Sequence, residues 1–165
     1  MARKQIAQKR MGRTESGQFG ALLKEVKKFK IFPQQKKLGE TKLNAFLINY
    51  LLQRNLNIEN KNIVTAKFVK ETFRPECLLR GSGKYPICAI ECKKLDDKLA
   101  KARWKEGLSQ SLLYAQCYKV VIYILFDYSN DARYASAFGP GNRAESRFAK
   151  ELRRNCNVHI VVLKP

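Results

Sequence analysis

A glutamate and a lysine two residues apart, Glu91 and Lys93, end the apolar run Ile87-Cys88-Ala89-Ile90. Apolar strands usually end in turn residues, so a carboxylate and an amine at that place need a reason. In an extended chain both side chains leave the same face, roughly 7 Å apart along the backbone. That spacing serves a plain ion pair equally well. Fifteen positions upstream, Glu76 lies in Arg74-Pro75-Glu76-Cys77-Leu78-Leu79, a second acid embedded in strand-like sequence. A turn joining the two segments brings Glu76 beside Glu91. Two carboxylates at a buried edge repel each other, and a hard divalent cation with oxygen ligands relieves the repulsion. Lys93 then stands where it can hold or deprotonate an attacking water, or steady a pentacovalent phosphate.

The surrounding periodicities supply elements to position these groups. Residues 19–29 place Leu22, Leu23, Val26 and Phe29 at helical spacing, and Pro33 ends the pattern. Leu43, Phe46, Leu47, Tyr50 and Leu51 form the apolar stripe of a second helix. Glu40 prolongs that stripe at its N-terminal end, either as a partner of the helix dipole or pointing inward to a site. Strands are expected over 63–69, 73–79 and 85–92, with turn chemistry at Arg80-Gly81-Ser82-Gly83-Lys84. A helix over 104–118 carries Leu108, Leu112 and Ala115 on one face. The run 119–127 (KVVIYILFD) suits a central strand buried on both sides. Asn142 with Glu145 caps a further helix ending near Asn155, with Phe148 and Leu152 inward, and 158–163 forms a last strand. The expected class is α/β, with α+β as the alternative, around one mixed sheet. Residues 1–17 read as a flexible basic arm, and 18–165 as a single domain.

Pro75-Glu76, then Glu91-x-Lys93, then Gln110-x-x-x-Tyr114 resembles the PD-(D/E)XK, or restriction-endonuclease-like, nuclease superfamily. The Gln-x-x-x-Tyr element resembles that of RecB-type nucleases and type I restriction subunits. The resemblance covers about 90 residues, 40–127, and leaves the basic arm and the last 38 positions unexplained. It implies an αβββαβ core and Mg²⁺-dependent hydrolysis of DNA, with Mn²⁺ as a substitute metal. By position it assigns metal binding to Glu76 and Glu91, catalysis to the same two acids with Lys93, and a supporting metal ligand to Glu40. Gln110 and Tyr114, four apart on one helix face, would flank the cleft. Glu76 stands where the family more often has Asp, which changes the reach by one methylene.

Composition narrows the partners. With 33 Lys+Arg against 14 Asp+Glu, the chain carries a formal charge of +19, and nucleic acid is the leading polyanion to meet it. Lys94, Lys98, Lys101, Arg103 and Lys105 form a cationic stretch beside the site, either a solvated face or a phosphate contact. No long apolar run or wide amphipathic basic helix favours a membrane. His159 is the only histidine and reads as structural, which excludes Ser-His-Asp catalysis and His-rich metal sites. Five cysteines without a CxxC pair indicate neither a zinc ribbon nor a disulfide framework. Gly81-Ser82-Gly83-Lys84 lacks the remaining Walker A residues, and Asp96-Asp97 reads as a helix cap. The N-terminus has no hydrophobic segment of a secretion signal, so an intracellular location is expected. A copy of the same chain, or a larger DNA-processing complex, is the expected protein partner for cutting both strands. A catalytically silent binding module of the same fold and an RNA-directed nuclease or binding protein are the alternative readings.

Overall fold

Residues 119–127 do form the centre of the protein. In the computed structural model, which describes residues 11–59, 66–68, 71–81, 85–139 and 142–165, every residue of β6 (Val120–Asp127) is buried. Such a strand needs a covering layer on each face, because its side chains alternate and all are removed from water. The layers come from α1 (Arg13–Lys28) and α2 (Glu40–Leu52) on one side, and α3 (Ala100–Cys117) and α5 (Arg143–Cys156) on the other. A short helix, α4 (Arg133–Ala137), follows β6.

The main sheet has five strands in the order β1 (Ile58–Glu59), β4 (Cys77–Arg80), β5 (Pro86–Leu95), β6 and β7 (Val158–Leu163). It is mixed: β1–β4 and β4–β5 are antiparallel, whereas β5–β6 and β6–β7 are parallel. An α/β class with a mixed sheet flanked by helices is therefore present. Two strands are placed differently from expectation. The described part of 63–69 is β2 (Ala66–Phe68), which pairs with β3 (Glu71–Phe73) in a separate two-stranded sheet. The edge beside β4 is filled instead by Ile58-Glu59. The expected strand 73–79 is split, because Pro75 has no N–H to donate and Glu76 lies at a bend before β4. Of the expected turn, residues 82–84 lie outside the described residues, as do residues 1–10 of the arm.

The arm is shorter than its polarity suggested. The α1 helix begins at Arg13, since the Glu15 carboxylate accepts the Gly12 N–H at 2.9 Å and binds Lys119 Nζ at 2.6 Å, tying the first turn to the start of β6. Helix faces also shift. Phe46 is exposed rather than inward, and α3 buries Gly107, Ser111 and Tyr114 instead of Leu108, Leu112 and Ala115, which are only partly covered. Phe148 is likewise exposed, although Leu152 is buried as expected and the Asn142 side chain does cap α5 by accepting the Ala144 N–H. In each case a contact from outside the helix selects the face, which periodicity alone does not register.

The last residue of β6 holds the chain's exit. Asp127 is buried, and its carboxylate accepts hydrogen bonds from the Ser129 hydroxyl, from Ser129 N–H at 3.1 Å and from Ala135 N–H at 2.8 Å. Between these anchors, Asp131 and Ala132 both have positive φ, 59° and 45°. A left-handed alanine costs roughly 1 kcal/mol or more, so the carboxylate clamp offsets real strain. Replacing Asp127 with Ala should lower stability by about 3 kcal/mol in urea denaturation, because charged hydrogen bonds are lost and buried N–H groups are left unpaired. A loss below about 1 kcal/mol would show that the turn holds without it.

Candidate active site

β5 runs through Leu95, so Glu91, Lys93 and Lys94 belong to the strand rather than to its frayed end. Alternation puts Ala89, Glu91, Lys93 and Leu95 on one face. That face meets α3: Ala89 and Leu95 share a core cluster with Tyr114 and with Tyr123 of β6. Glu91 and Lys93 are only 2% and 6% exposed, so neither charge is solvated as a surface ion pair would be. Lys93 Nζ lies 3.0 Å from Glu91 Oε1.

Glu76 reaches the same place by register. Cys77 pairs with Ile90 and Leu78 with Ala89, and Glu76 N–H donates to the Ile90 carbonyl at 3.0 Å. One position beyond that ladder, at the bend before β4, Glu76 comes across from Glu91 and near enough to raise its carboxyl. Glu40 arrives from the other layer, at the first turn of α2. Its Oε2 accepts Lys94 N–H at 2.7 Å and Arg103 Nη1 at 3.1 Å, and its Oε1 points to Lys93 Nζ at 3.9 Å. One oxygen of Glu40 is thus committed to the strand and to α3, and the other faces the lysine.

Three neighbours had no clear signal in the sequence. Glu106 of α3 places Oε1 3.3 Å from Lys93 Nζ. Asn44, one turn after Glu40, is 3% exposed and lies against Glu76. Gly107 lets α3 press directly on the strand: a Cβ there would come within 2.6 Å of Lys93 Cγ and 2.5 Å of the Tyr123 hydroxyl. That hydroxyl in turn donates to the Trp104 carbonyl at 2.9 Å, fixing the helix at this height. A glycine in mid-helix, where it costs about 1 kcal/mol relative to alanine, was the available sign of such a close approach.

The site's electrostatics follow from burial. Desolvation pushes the Glu91 carboxyl up to about 7, against the lowering effect of Lys93, while Glu76 and Glu40 raise it further. Burial also raises Glu76, with Asn44 opposing and Glu40 adding to the rise. Burial works against the Lys93 charge, yet Glu91, Glu40 and Glu106 together keep its pKa above the ordinary lysine value. Tyr114 is fully buried, and burial and the adjacent Glu91 and Glu76 carboxylates raise its phenol. Its hydroxyl sits beside Glu91 without meeting hydrogen-bond geometry, and the buried Gln110 Oε1 and Asn44 Oδ1 are also unpaired. An unpaired buried polar atom costs about 1–3 kcal/mol, so Asn44 Oδ1 against Glu76 and the Tyr114 hydroxyl beside Glu91 fit a site built for a polar ligand.

Of the basic stretch, Arg103 is bound to Glu40, and the Lys94 ammonium donates to the Lys36 carbonyl at 2.7 Å from the far face of β5. Lys98, Lys101 and Lys105 are exposed. Asp96 Oδ1 accepts Leu99 N–H at the start of α3, as a cap does. Among the described residues, no three His, Cys, Asp or Glu side chains are grouped closely enough to hold a metal by themselves. The acids offer a partial oxygen set with Lys93 between them. Among the described residues, no helix is long and apolar enough to cross a membrane. No protein-family model, curated protein or solved structure matches the chain.

A raised carboxyl has a definite sign in stability. Folded Glu91 keeps its proton up to about pH 7, whereas the unfolded chain releases it near 4.5, so its contribution falls as pH rises between those values. His159, depressed to about 4, acts with the opposite sign over an overlapping range, so the informative quantity is a difference. In urea denaturation without divalent ions, wild-type protein should lose stability relative to Glu91→Gln as pH rises from about 4.5 to about 7. Parallel curves would mean that Glu91 is not protonated in the fold.

Proposed function

We propose that the chain is a magnesium-dependent nuclease of the PD-(D/E)XK type that hydrolyses DNA phosphodiester bonds. The observation that carries this reading is the burial of Glu91 and Lys93 side by side on one strand, with Glu76, at the bend before Cys77, near enough to raise the Glu91 carboxyl. A structural ion pair needs neither a second carboxylate facing the first nor a carboxyl pushed up to about 7. Both make sense if a divalent cation completes the charge balance.

Glu76 and Glu91 would hold Mg²⁺, or Mn²⁺ in its place, with Glu40 Oε1 as the additional oxygen. When bound, the metal supplies Lewis-acid stabilisation of the phosphate and a water acidic enough to attack. Lys93, which Glu106 and Glu40 also hold, would contribute a fixed positive charge beside the reacting phosphate. Tyr114 of α3 lies beside these acids, Gln110 four residues before it would flank the cleft, and exposed Lys98, Lys101 and Lys105 would bind backbone phosphates along its rim. The +19 charge supplies affinity for the polyanion, and a second copy of the chain would allow both strands to be cut.

The test uses purified full-length protein with linear, circular and branched DNA and with RNA. Cleavage of DNA should require Mg²⁺ or Mn²⁺ and stop with EDTA. Glu76→Ala and Glu91→Ala should each abolish it, and the double variant should be hardly worse, because groups acting as a unit lose their effect together. Lys93→Ala should lose about 100- to 1,000-fold while still binding DNA. Cleavage retained in folded Glu91→Ala or Lys93→Ala protein would overturn the assignment. DNA binding without turnover by wild type under all these conditions would establish the silent binding module, and cleavage of RNA alone would redirect the substrate.

A further inference from the structure

The free edge of the sheet carries a second charged site that the proposed metal chemistry does not use. Among the described residues β7 pairs only with β6, and at its outer side α1 from one layer and α5 from the other approach the same strand. Between them lies a pocket of about 190 Å³, roughly six times the volume share of a liquid water. Lys27 of α1, His159 of β7, and Ser146, Lys150 and Arg153 of α5 line it. Ser146, Lys150 and Arg153 stand four and three residues apart, so one stripe of α5 delivers all three.

No acid lines this pocket. Among the described residues, neither Lys27, Lys150 nor Arg153 forms an ion pair, although seven of the other cations do. A scattered cationic surface would give lysines that ignore one another. Here all three cations line one pocket with the imidazole, and after burial Arg153 and Lys27 depress His159 to about 4. The imidazole is half-buried, and one ring face is fixed by Phe19, edge-on at 4.9 Å. Three cations, a hydroxyl and a ring nitrogen around a half-open pocket can all donate to one anion, and no carboxylate competes, a set matched to a tetrahedral oxyanion.

We propose that this pocket binds a phosphate group, with Lys27, Lys150 and Arg153 meeting its charge and Ser146 and His159 completing the donor set. The phosphate is either one of a nucleic-acid backbone or that of a small phosphate-bearing ligand, and the chemistry of capture is the same. Because the pocket shares no residue with Glu76, Glu91 or Lys93, its occupancy does not depend on the metal site or on catalysis. Its anion replaces the repulsion felt by His159 with attraction, so binding draws a proton onto the ring.

The single histidine makes this directly observable. The ring-proton resonance of His159 in the full-length protein is titrated with pH in chloride, with inorganic phosphate, and with a short DNA duplex, all without divalent ions. In chloride the midpoint should lie near 4, and ligand should raise it by roughly one to three pH units. Lys150→Ala/Arg153→Ala, at two exposed positions, should fold and bind neither ligand in the pocket, leaving a midpoint that ligand does not move. A rise with duplex that inorganic phosphate at moderate concentration competes away supports a backbone phosphate. A rise with inorganic phosphate that duplex leaves unchanged supports a small ligand. A midpoint unmoved by both, or moved equally in the double variant, overturns the proposal.

Discussion

The structure depends on one arrangement: a carboxylate and an ammonium, Glu91 and Lys93, buried on the same face of a central strand. Removing one member of a buried pair typically costs about 3–5 kcal/mol, since the other is left without water or partner. The protein meets that constraint by surrounding Lys93 with acids from three elements, Glu91 of β5, Glu40 of α2 and Glu106 of α3. The same contacts lock the layers together. Glu40 ties α2 to the backbone of β5 and to Arg103 of α3, and Gly107 allows α3 to lie against the lysine stem. A hydrophobic pair at these positions would hold the sheet with less expense of desolvation, which argues that the charges are kept for what they can bind.

The pairing of Glu91 with Lys93 was legible because strand alternation is a strong local rule. An acid and a lysine two apart must share a face, and that inference needed no knowledge of the fold. The place of Glu76 was legible only as a juxtaposition. Its bend at Pro75 and its approach to Glu91 depend on pairing between strands, for which the sequence offers spacing and no geometry. Asn44, Glu106 and Gly107 escaped because each acts through a residue far away in the chain. Nothing in the local pattern around Asn44 records Glu76, and an exposed-looking helical glutamate gives no hint of a buried lysine beneath it. Phe46 and Phe148 failed in the opposite direction, since apolar periodicity assigned them inward while neighbouring elements covered other faces of their helices. The strand order failed for a related reason: which segment lies beside β4 is a tertiary choice, and Ile58-Glu59 is too short to register as a strand by pattern.

Charge is distributed with two distinct physical roles. Across the surface the excess of Lys and Arg produces a broad positive field that attracts polyanions without specifying where they act. At β5 the sign is reversed locally, and burial turns that acidic cluster into a site whose protonation lies close to neutrality. A polyanion drawn by the field meets carboxylates at that point, an unfavourable encounter unless a cation intervenes. The pocket at the β7 edge has the opposite character, an uncompensated cationic nest with no acid. The two would therefore favour different species under the proposals above: a metal ion at the first and a phosphate at the second.

Central to this account is the claim that Glu76 and Glu91 form one divalent-metal site whose empty form holds a proton. Calorimetric titration of Mg²⁺ into the full-length protein at pH 6.5, repeated in buffers of different ionisation enthalpy, measures metal binding and proton release together. Saturable binding should release protons from wild type, because Glu91 with a pKa of about 7 must ionise, and Glu91→Gln should release none and bind weakly. Absence of saturable binding, or the same proton release from Glu91→Gln, would contradict it.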